Sequence, residues 1–204
     1  MADIISLFSR EGVRIGGSRW VDMSNEIVFF ARALDFAAQK HTAQRRKGEA
    51  HEPYINHLAE VALLLAEATG GRDLNLVLAG LLHDTIEDTA TSYKELAGKF
   101  NEDVAGLVRE VTDDKSLPKA ERKELQVQTA SQKSDRAKMI KIADKISNLL
   151  SILNSPPADW SEERKREYFE WAARVVDGCR GMSRALEDKF DEAYSAFRHI
   201  SRSR

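Results

Sequence analysis

The segment His83-Asp84-Thr85-Ile86-Glu87-Asp88 places four ionisable side chains directly after Leu74–Leu82, a run with almost no polar residue. Charges at the end of so apolar a segment are costly to bury unless something neutralises them. At helical spacing His83 lies over Glu87 and Asp84 over Asp88, so an imidazole and several carboxylates converge on a small volume. A divalent cation resolves the repulsion among them and divides them into ligands and free acid–base groups. The structural alternative is a solvated helix end carrying a satisfied histidine.

Two further places offer matching groups. His57, in Tyr54-Ile55-Asn56-His57-Leu58, stands at the start of an apolar run over 58–68, where a side chain can point out of a bundle core. On its own such a histidine is more often structural than a ligand. Asp144 and Asn148, in Ile142-Ala143-Asp144-Lys145-Ile146-Ser147-Asn148, lie one turn apart, and Asp144 also leaves an apolar environment. Its alternative is an ordinary ion pair with Lys141 or Lys145. Together His57, His83, Asp84 and Asp144 supply two imidazoles and two carboxylates. Such a mixed set, with positions left for water, suits Mn²⁺, Fe²⁺ or Zn²⁺, and its carboxylates favour Mn²⁺. Glu87 and Asp88 remain for acid–base work, or else cap or pair with lysines such as Lys94.

Other chemistries lack their residues. There is no Cys-x-x-Cys and no His-Glu-x-x-His, which removes thiolate zinc and zincin sites. Walker A, Gly-x-Gly-x-x-Gly and Gly-x-Ser-x-Gly loops are also missing. The single cysteine, Cys179, can form no internal disulfide and points to a reducing compartment. A net charge of -2 gives no global basic field for nucleic acid, so a polyanionic ligand needs a local patch. Arg45-Arg46-Lys47 sits just upstream of Tyr54–His57, Lys115 and Lys119 flank Pro118, and Arg164 opens a late helix. Such charges usually mark a solvated face, and Arg45 alone reads so; the loop of three cations, Arg45-Arg46-Lys47, just upstream of His57 is better suited to phosphates.

The elements that must hold these residues are helical almost throughout. Ile27, Phe30, Ala31, Leu34 and Ala38 recur at spacings of three and four, after Ser24 as an N-cap. Leu74–Leu82, apolar all round, belongs at the centre. Ser92 with Glu95 reads as a capping box, and Asn101 caps the helix through Val111. Further helices are expected over 119–132 and 137–153, from Ser161 through Val175, and from beyond Gly181 through Phe197. The expectation is an all-α bundle of roughly nine helices over 24–200, preceded by an irregular extension over 1–23, and no uncharged apolar stretch of the sequence is long enough to span a membrane. A cytoplasmic protein is the natural expectation.

The ordered motifs carry a resemblance. Ala37-Ala38-Gln39-Lys40-His41, Gln44-Arg45-Arg46-Lys47 and Pro53-Tyr54-Ile55-Asn56-His57 resemble the opening of the RelA/SpoT hydrolase domain. Leu81-Leu82-His83-Asp84-Thr85-Ile86-Glu87-Asp88-Thr89 resembles its central HD signature, and Ile142–Asn148 its late aspartate motif. Val111–Lys115, Leu117-Pro118-Lys119 and Tyr168–Ala173 are similar to the small stand-alone branch typified by the metazoan SpoT homologue.

The resemblance implies an HD-domain helical fold with one Mn²⁺ held by His57, His83, Asp84 and Asp144. It makes Glu87 and Asp88 the catalytic pair, and it brings Arg46, Lys47, Lys119, Asn148 and Arg164 to the substrate. The implied reaction removes the 3′-pyrophosphate of guanosine tetraphosphate or pentaphosphate, giving GDP or GTP, without a synthetase activity. Alternatives are a 2′-phosphatase acting on NADPH or another nucleotide at the same metal site, and a helical module that binds a nucleotide without cleaving it. Two positions depart from the pattern. Leu58 stands where the family has proline, and Ser147 where it commonly has a bulky residue.

Overall fold

The computed structural model describes residues 23–202, so the expected extension lies outside it apart from Met23. Ten α-helices and a short 3-10 turn fill the described residues, with no strand among them; Arg45 and Pro53 form one isolated antiparallel bridge. The helices are α1 Met23–Lys40, α2 Ile55–Thr69, α3 Leu74–Leu82, α4 Thr85–Asp88 and α5 Tyr93–Lys99. They continue as α6 Glu102–Val111, α7 Lys119–Thr129, α8 Asp135–Asn154, α9 Glu162–Asp177 and α10 Arg184–Arg202. None is long and apolar enough to cross a membrane.

Local chemistry sets most boundaries. The side chains of Asp73, Ser92, Asn101, Ser134 and Ser161 each accept a backbone N–H from the first turn of the helix that follows. At α5 only half of the expected capping box forms, because Glu95 turns to Lys40, 3.1 Å away, and not back to its own cap. Ser24, expected as an N-cap, falls at the second residue of α1 as described.

The largest departure from the expected pattern is at the HD signature. α3 stops at Leu82, and a separate turn, α4, begins at Thr85. Side chains take over backbone groups at this break: His83 Nδ1 donates to Gly80 O at 2.8 Å, and Thr85 Oγ1 to Leu82 O at 2.6 Å. A continuous helix carrying His83 over Glu87 is therefore replaced by a bend, although Asp88 N still reaches Asp84 O at 2.8 Å.

α3 is the hub. Every residue from Leu76 to Leu82 is buried, and α1, α2, α6 and α8 pack around it. Each buried leucine of this kind contributes roughly 1.5–3 kcal/mol. Gly80 permits the close approach, since a Cβ there would collide with Leu65 of α2. α8 lies across α2 and α10, burying Ile140, Ile142, Ala143, Ile146 and Leu149. α9 leans on α8 and α7. The start of α2, the end of α3 and the middle of α8 thus meet on a common apolar support.

Candidate metal and phosphate site

His57 sits in the first turn of α2 and is 1% exposed, so it points into the molecule. His83 follows α3, and Asp144 projects from the middle of α8. One ligand atom from each of His57, His83 and Asp144 falls within 4.8 Å of the others. His57 Nε2 is 3.4 Å from Asp144 Oδ1 and 3.6 Å from Asp84 Oδ2. His83 Nε2 is 3.2 Å from Asp84 Oδ2 and 3.8 Å from Asp144 Oδ1. All four expected ligands therefore converge, with Asp84 against both imidazoles.

Hydrogen bonds behind the cluster aim it. Both Nδ1 atoms are engaged, His83 with Gly80 O and His57 with Ser147 Oγ at 2.8 Å, leaving both Nε2 atoms facing the carboxylates. Tyr54 donates its hydroxyl to Asp84 Oδ2 at 2.6 Å. Burial, and then Asp84, push the Tyr54 phenol far up, so it remains a donor. Burial works against ionisation of Asp84 and Asp144. The imidazoles beside Asp84, and Lys145 beside Asp144 at 2.7 Å, outweigh it and hold both carboxyls well below their usual range. His83 Nε2 is buried without a hydrogen-bond partner. Burial works against protonation of His83, but Asp84 and Asp144 push it up to about 10; a divalent cation would displace that proton, accept the nitrogen's lone pair and offset the carboxylate charge.

Glu87 and Asp88 flank this cluster on α4. Glu87 accepts the Asp113 N–H at 3.0 Å and lies 3.7 Å from Arg122. Its burial pushes its pKa up, against the lowering by the Asp113 N–H. Asp88 accepts from Gln44 Nε2 at 2.8 Å and pairs with Lys115. The expected structural partner, Lys94, is thus replaced by cations from α7 and the loop before it.

The pocket around the cluster, about 160 Å³, shares Tyr54, Glu87, Asp88, Gln126 and Asn148 with a larger cavity of about 630 Å³. Arg46, Lys47, Lys119, Asn148 and Arg164, the residues expected at the substrate, all line the larger cavity. They differ in how free they are. Arg46 is only 9% exposed; its guanidinium donates to Ser147 Oγ and O at 3.1 and 3.0 Å and to Asn148 Oδ1 at 3.5 Å. Asn148 in turn donates to Asp144 Oδ1 at 2.7 Å. Arg164 lies over the Trp160 ring, 4.5 Å away. Lys119 has its pKa lowered by burial and then by Lys47, Arg164 and Arg122. Arg45 bonds only its own loop carbonyls, in keeping with a solvated residue.

The sequence reading did not single out the aromatic wall. Tyr168 stacks edge-on to Trp171 and tilts against Trp160. The Lys123 and Lys145 ammonium groups each lie 4.5 Å from the Trp171 ring. The signal was there, since Arg164, Tyr168 and Trp171 follow the i, i+4, i+7 spacing of one helix face. Arg122 and Glu60 were also missed, and Gln44 entered only as part of a motif; all three lie outside the apolar-to-charged transitions that mark the rest.

Comparison with known proteins matches residues 33–175 to a family model described as HD domain. The chain is 46% identical over 172 residues to guanosine-3′,5′-bis(diphosphate) 3′-pyrophosphohydrolase MESH1 of Xenopus tropicalis, covering 84% of this chain and 96% of that protein. It is 47% identical over 182 residues to the Homo sapiens protein of the same name, covering 89% and 98%. A solved structure, described as a metazoan orthologue of SpoT that hydrolyses ppGpp, superposes with a TM-score of 0.79. It shares 46% identity over 82% of this chain and 94% of that one.

Proposed function

The chain belongs to the HD-domain family and to its MESH1-like group, and on that premise we propose that it is a guanosine 3′,5′-bis(diphosphate) 3′-pyrophosphohydrolase dependent on one Mn²⁺. Water adds to the 3′-diphosphate, the 3′-oxygen leaves, and the products are GDP, or GTP from the pentaphosphate, and pyrophosphate. The observation that carries the reading is the junction of two unlike pockets. A cavity lined by Lys47, Lys119 and Arg164 adjoins one lined by His83, Asp84 and Asp144, with Glu87 and Asp88 at the junction and His57 buried behind the two aspartates.

His57, His83, Asp84 and Asp144 would hold the ion, and their carboxylates favour Mn²⁺. The ion supplies Lewis acidity, which makes water a better nucleophile and offsets phosphoryl charge. Glu87, its carboxyl already pushed up by burial, orients the attacking water and takes its proton. Asp88, held by Gln44 and Lys115, manages the proton at the leaving oxygen. Lys47, Lys119 and Arg164 hold the diphosphates, and Trp160, Tyr168 and Trp171 offer faces for a base. These cations carry fixed charge and do no proton transfer.

The test is to incubate purified protein and Mn²⁺ with guanosine tetraphosphate, guanosine pentaphosphate, NADPH and GTP, and to identify every product. Release of GDP and pyrophosphate from the tetraphosphate is expected. Phosphate released from NADPH alone would replace this reading with a 2′-phosphatase, and binding without any product would replace it with a nucleotide-binding module.

A further inference from the structure

Ser147 Oγ stands at the centre of a group, buried but for Glu60, that the reaction does not itself require. It is 0% exposed and lies 2.8 Å from His57 Nδ1, 2.5 Å from Glu60 Oε2 and 3.1 Å from Arg46 Nη1. A serine hydroxyl has one proton to donate and two lone pairs to accept with. Glu60 as a carboxylate can only accept, and the Arg46 guanidinium can only donate. The hydroxyl proton therefore goes to Glu60, one lone pair takes Arg46, and the remaining lone pair must take a proton from His57 Nδ1. Only one tautomer of a neutral His57 satisfies this: Nδ1 protonated, Nε2 carrying its lone pair. That lone pair faces Asp144 Oδ1 at 3.4 Å and Asp84 Oδ2 at 3.6 Å, where the expected ligands converge.

We propose that Ser147 and Glu60 are positioning residues for the metal centre: a carboxylate–hydroxyl–imidazole relay that fixes the tautomer and ring orientation of His57 and raises its strength as a ligand. His83 has no such relay; its Nδ1 rests on a backbone carbonyl, Gly80 O. The two imidazoles are thus held differently. A backbone acceptor is set by the fold, whereas the acceptor for His57 depends on two side chains from α2 and α8. Arg46 completes the fourfold arrangement, holding Ser147 by its hydroxyl and its carbonyl at once. The inference rests on His57 being a ligand, as the proposed function has it.

The experiment measures Mn²⁺ affinity of the full chain by chelator competition, together with the electron paramagnetic resonance spectrum of bound Mn²⁺ and the melting temperature of the metal-free protein. Partners behind metal-binding histidines typically control about 10–100-fold in affinity. Ser147→Ala is expected to weaken Mn²⁺ binding within that range and to change the spectrum. Glu60→Gln is expected to act in the same direction by a smaller factor, since the amide oxygen still accepts but carries no charge. The double variant is expected to bind no more weakly than Ser147→Ala, because one chain of bonds is broken in both cases.

Wild-type affinity in Ser147→Ala overturns the relay, whatever happens to melting temperature. Effects that multiply in the double variant also overturn it, since Glu60 would then act by itself. Should Ser147→Ala fail to fold, Glu60→Gln, whose side chain is 37% exposed, carries the test, and unchanged affinity there counts against the relay. His57→Gln separates this inference from the one it rests on. If that variant keeps wild-type affinity, the metal assignment falls; if it loses metal while Ser147→Ala does not, only the relay falls.

Discussion

The two walls of the active cleft are built on opposite principles. On one side, His57, His83, Asp84 and Asp144 come from α2, from the turn after α3 and from α8, whose flanking residues form the core. Their hydrogen bonds are made before any ligand arrives: Tyr54 holds Asp84, Ser147 holds His57, Lys145 and Asn148 hold Asp144. On the other side, Lys47, Lys119 and Arg164 come from a loop and from α7 and α9, and α7 buries no residue of its own. There burial, and then the neighbouring Lys47, Arg164 and Arg122, lower the Lys119 pKa. On the proposed reading the first wall would hold an ion in a fixed position. The second gathers cations that a polyanion would neutralise, so binding energy gained there would be spent on holding the diphosphate over Glu87 and Asp88.

The largest effect is expected on the first wall. Asp144→Ala removes a carboxylate that faces both imidazoles, and it should abolish stoichiometric divalent metal in purified protein and take turnover to background. Elemental analysis and the pyrophosphate-release assay check this. A variant that retains a full equivalent of metal would show that Asp144 only anchors Lys145. Next come the groups at the seam. Glu87→Gln and Asp88→Asn should retain metal and substrate affinity while kcat falls about 10²–10⁴-fold, the usual range for lost acid–base help. Because burial raises the Glu87 pKa, the acid limb of kcat/KM should fall at a pH above that of an ordinary glutamate, near 4.3. Amide variants within a few-fold of wild type would make these carboxylates structural.

On the second wall, Lys119→Ala should raise KM for the tetraphosphate by about tenfold or more with kcat little changed, as for one charge-assisted bond lost equally from substrate and transition state. The same substitution relieves Lys47, Arg164 and Arg122, so the nucleotide-free protein should melt no lower than wild type. A fall in kcat at constant KM would contradict a purely positioning role, and a clear fall in melting temperature would mean that Lys119 supports the fold.

The difference between the walls also explains what could be read from the sequence. The ligand wall was legible because its residues interrupt apolar helices, and an abrupt change from buried to charged is visible in one dimension. The bend at His83-Asp84 was not. Those residues read as a continuous helix, whereas α3 ends at Leu82 and the His83 and Thr85 side chains bond Gly80 O and Leu82 O at the interruption. Lys119 and Arg164 could be named from motif position, but no local pattern says that α7 and α9 face one cavity. Arg46 shows the limit most clearly. As one cation in a basic loop it looks free for phosphate, whereas its fork is turned to Ser147, 101 residues away in the chain. Contacts of that range follow from helix packing and leave no periodic trace.

The smallest expected effect tests whether the seam was selected for chemistry at the expense of stability. Glu87 has its pKa raised in the folded protein, chiefly by burial. A raised folded-state pKa means that the native state binds this proton more tightly than the unfolded chain does. Stability from this group is therefore greatest below the unfolded value, about 4.3, and falls as pH rises through the higher folded value. At neutral pH the ionised carboxylate stands at a cost, partly offset by the Asp113 N–H and Arg122. Glutamine keeps an acceptor for that N–H and removes the charge. In chelator-treated protein, Glu87→Gln should therefore be at least as stable as wild type by urea denaturation at pH 7, and any advantage should shrink as the pH approaches 4. Asp144→Asn should behave oppositely, losing stability at pH 7, because the folded-state pKa of Asp144 is lowered and its ionised form is the favoured one. If Glu87→Gln were the less stable protein at pH 7 and recovered in acid, Glu87 would belong with the paired carboxylates of the ligand wall, and the separation drawn between a carboxylate kept for proton transfer and carboxylates kept for an ion would collapse.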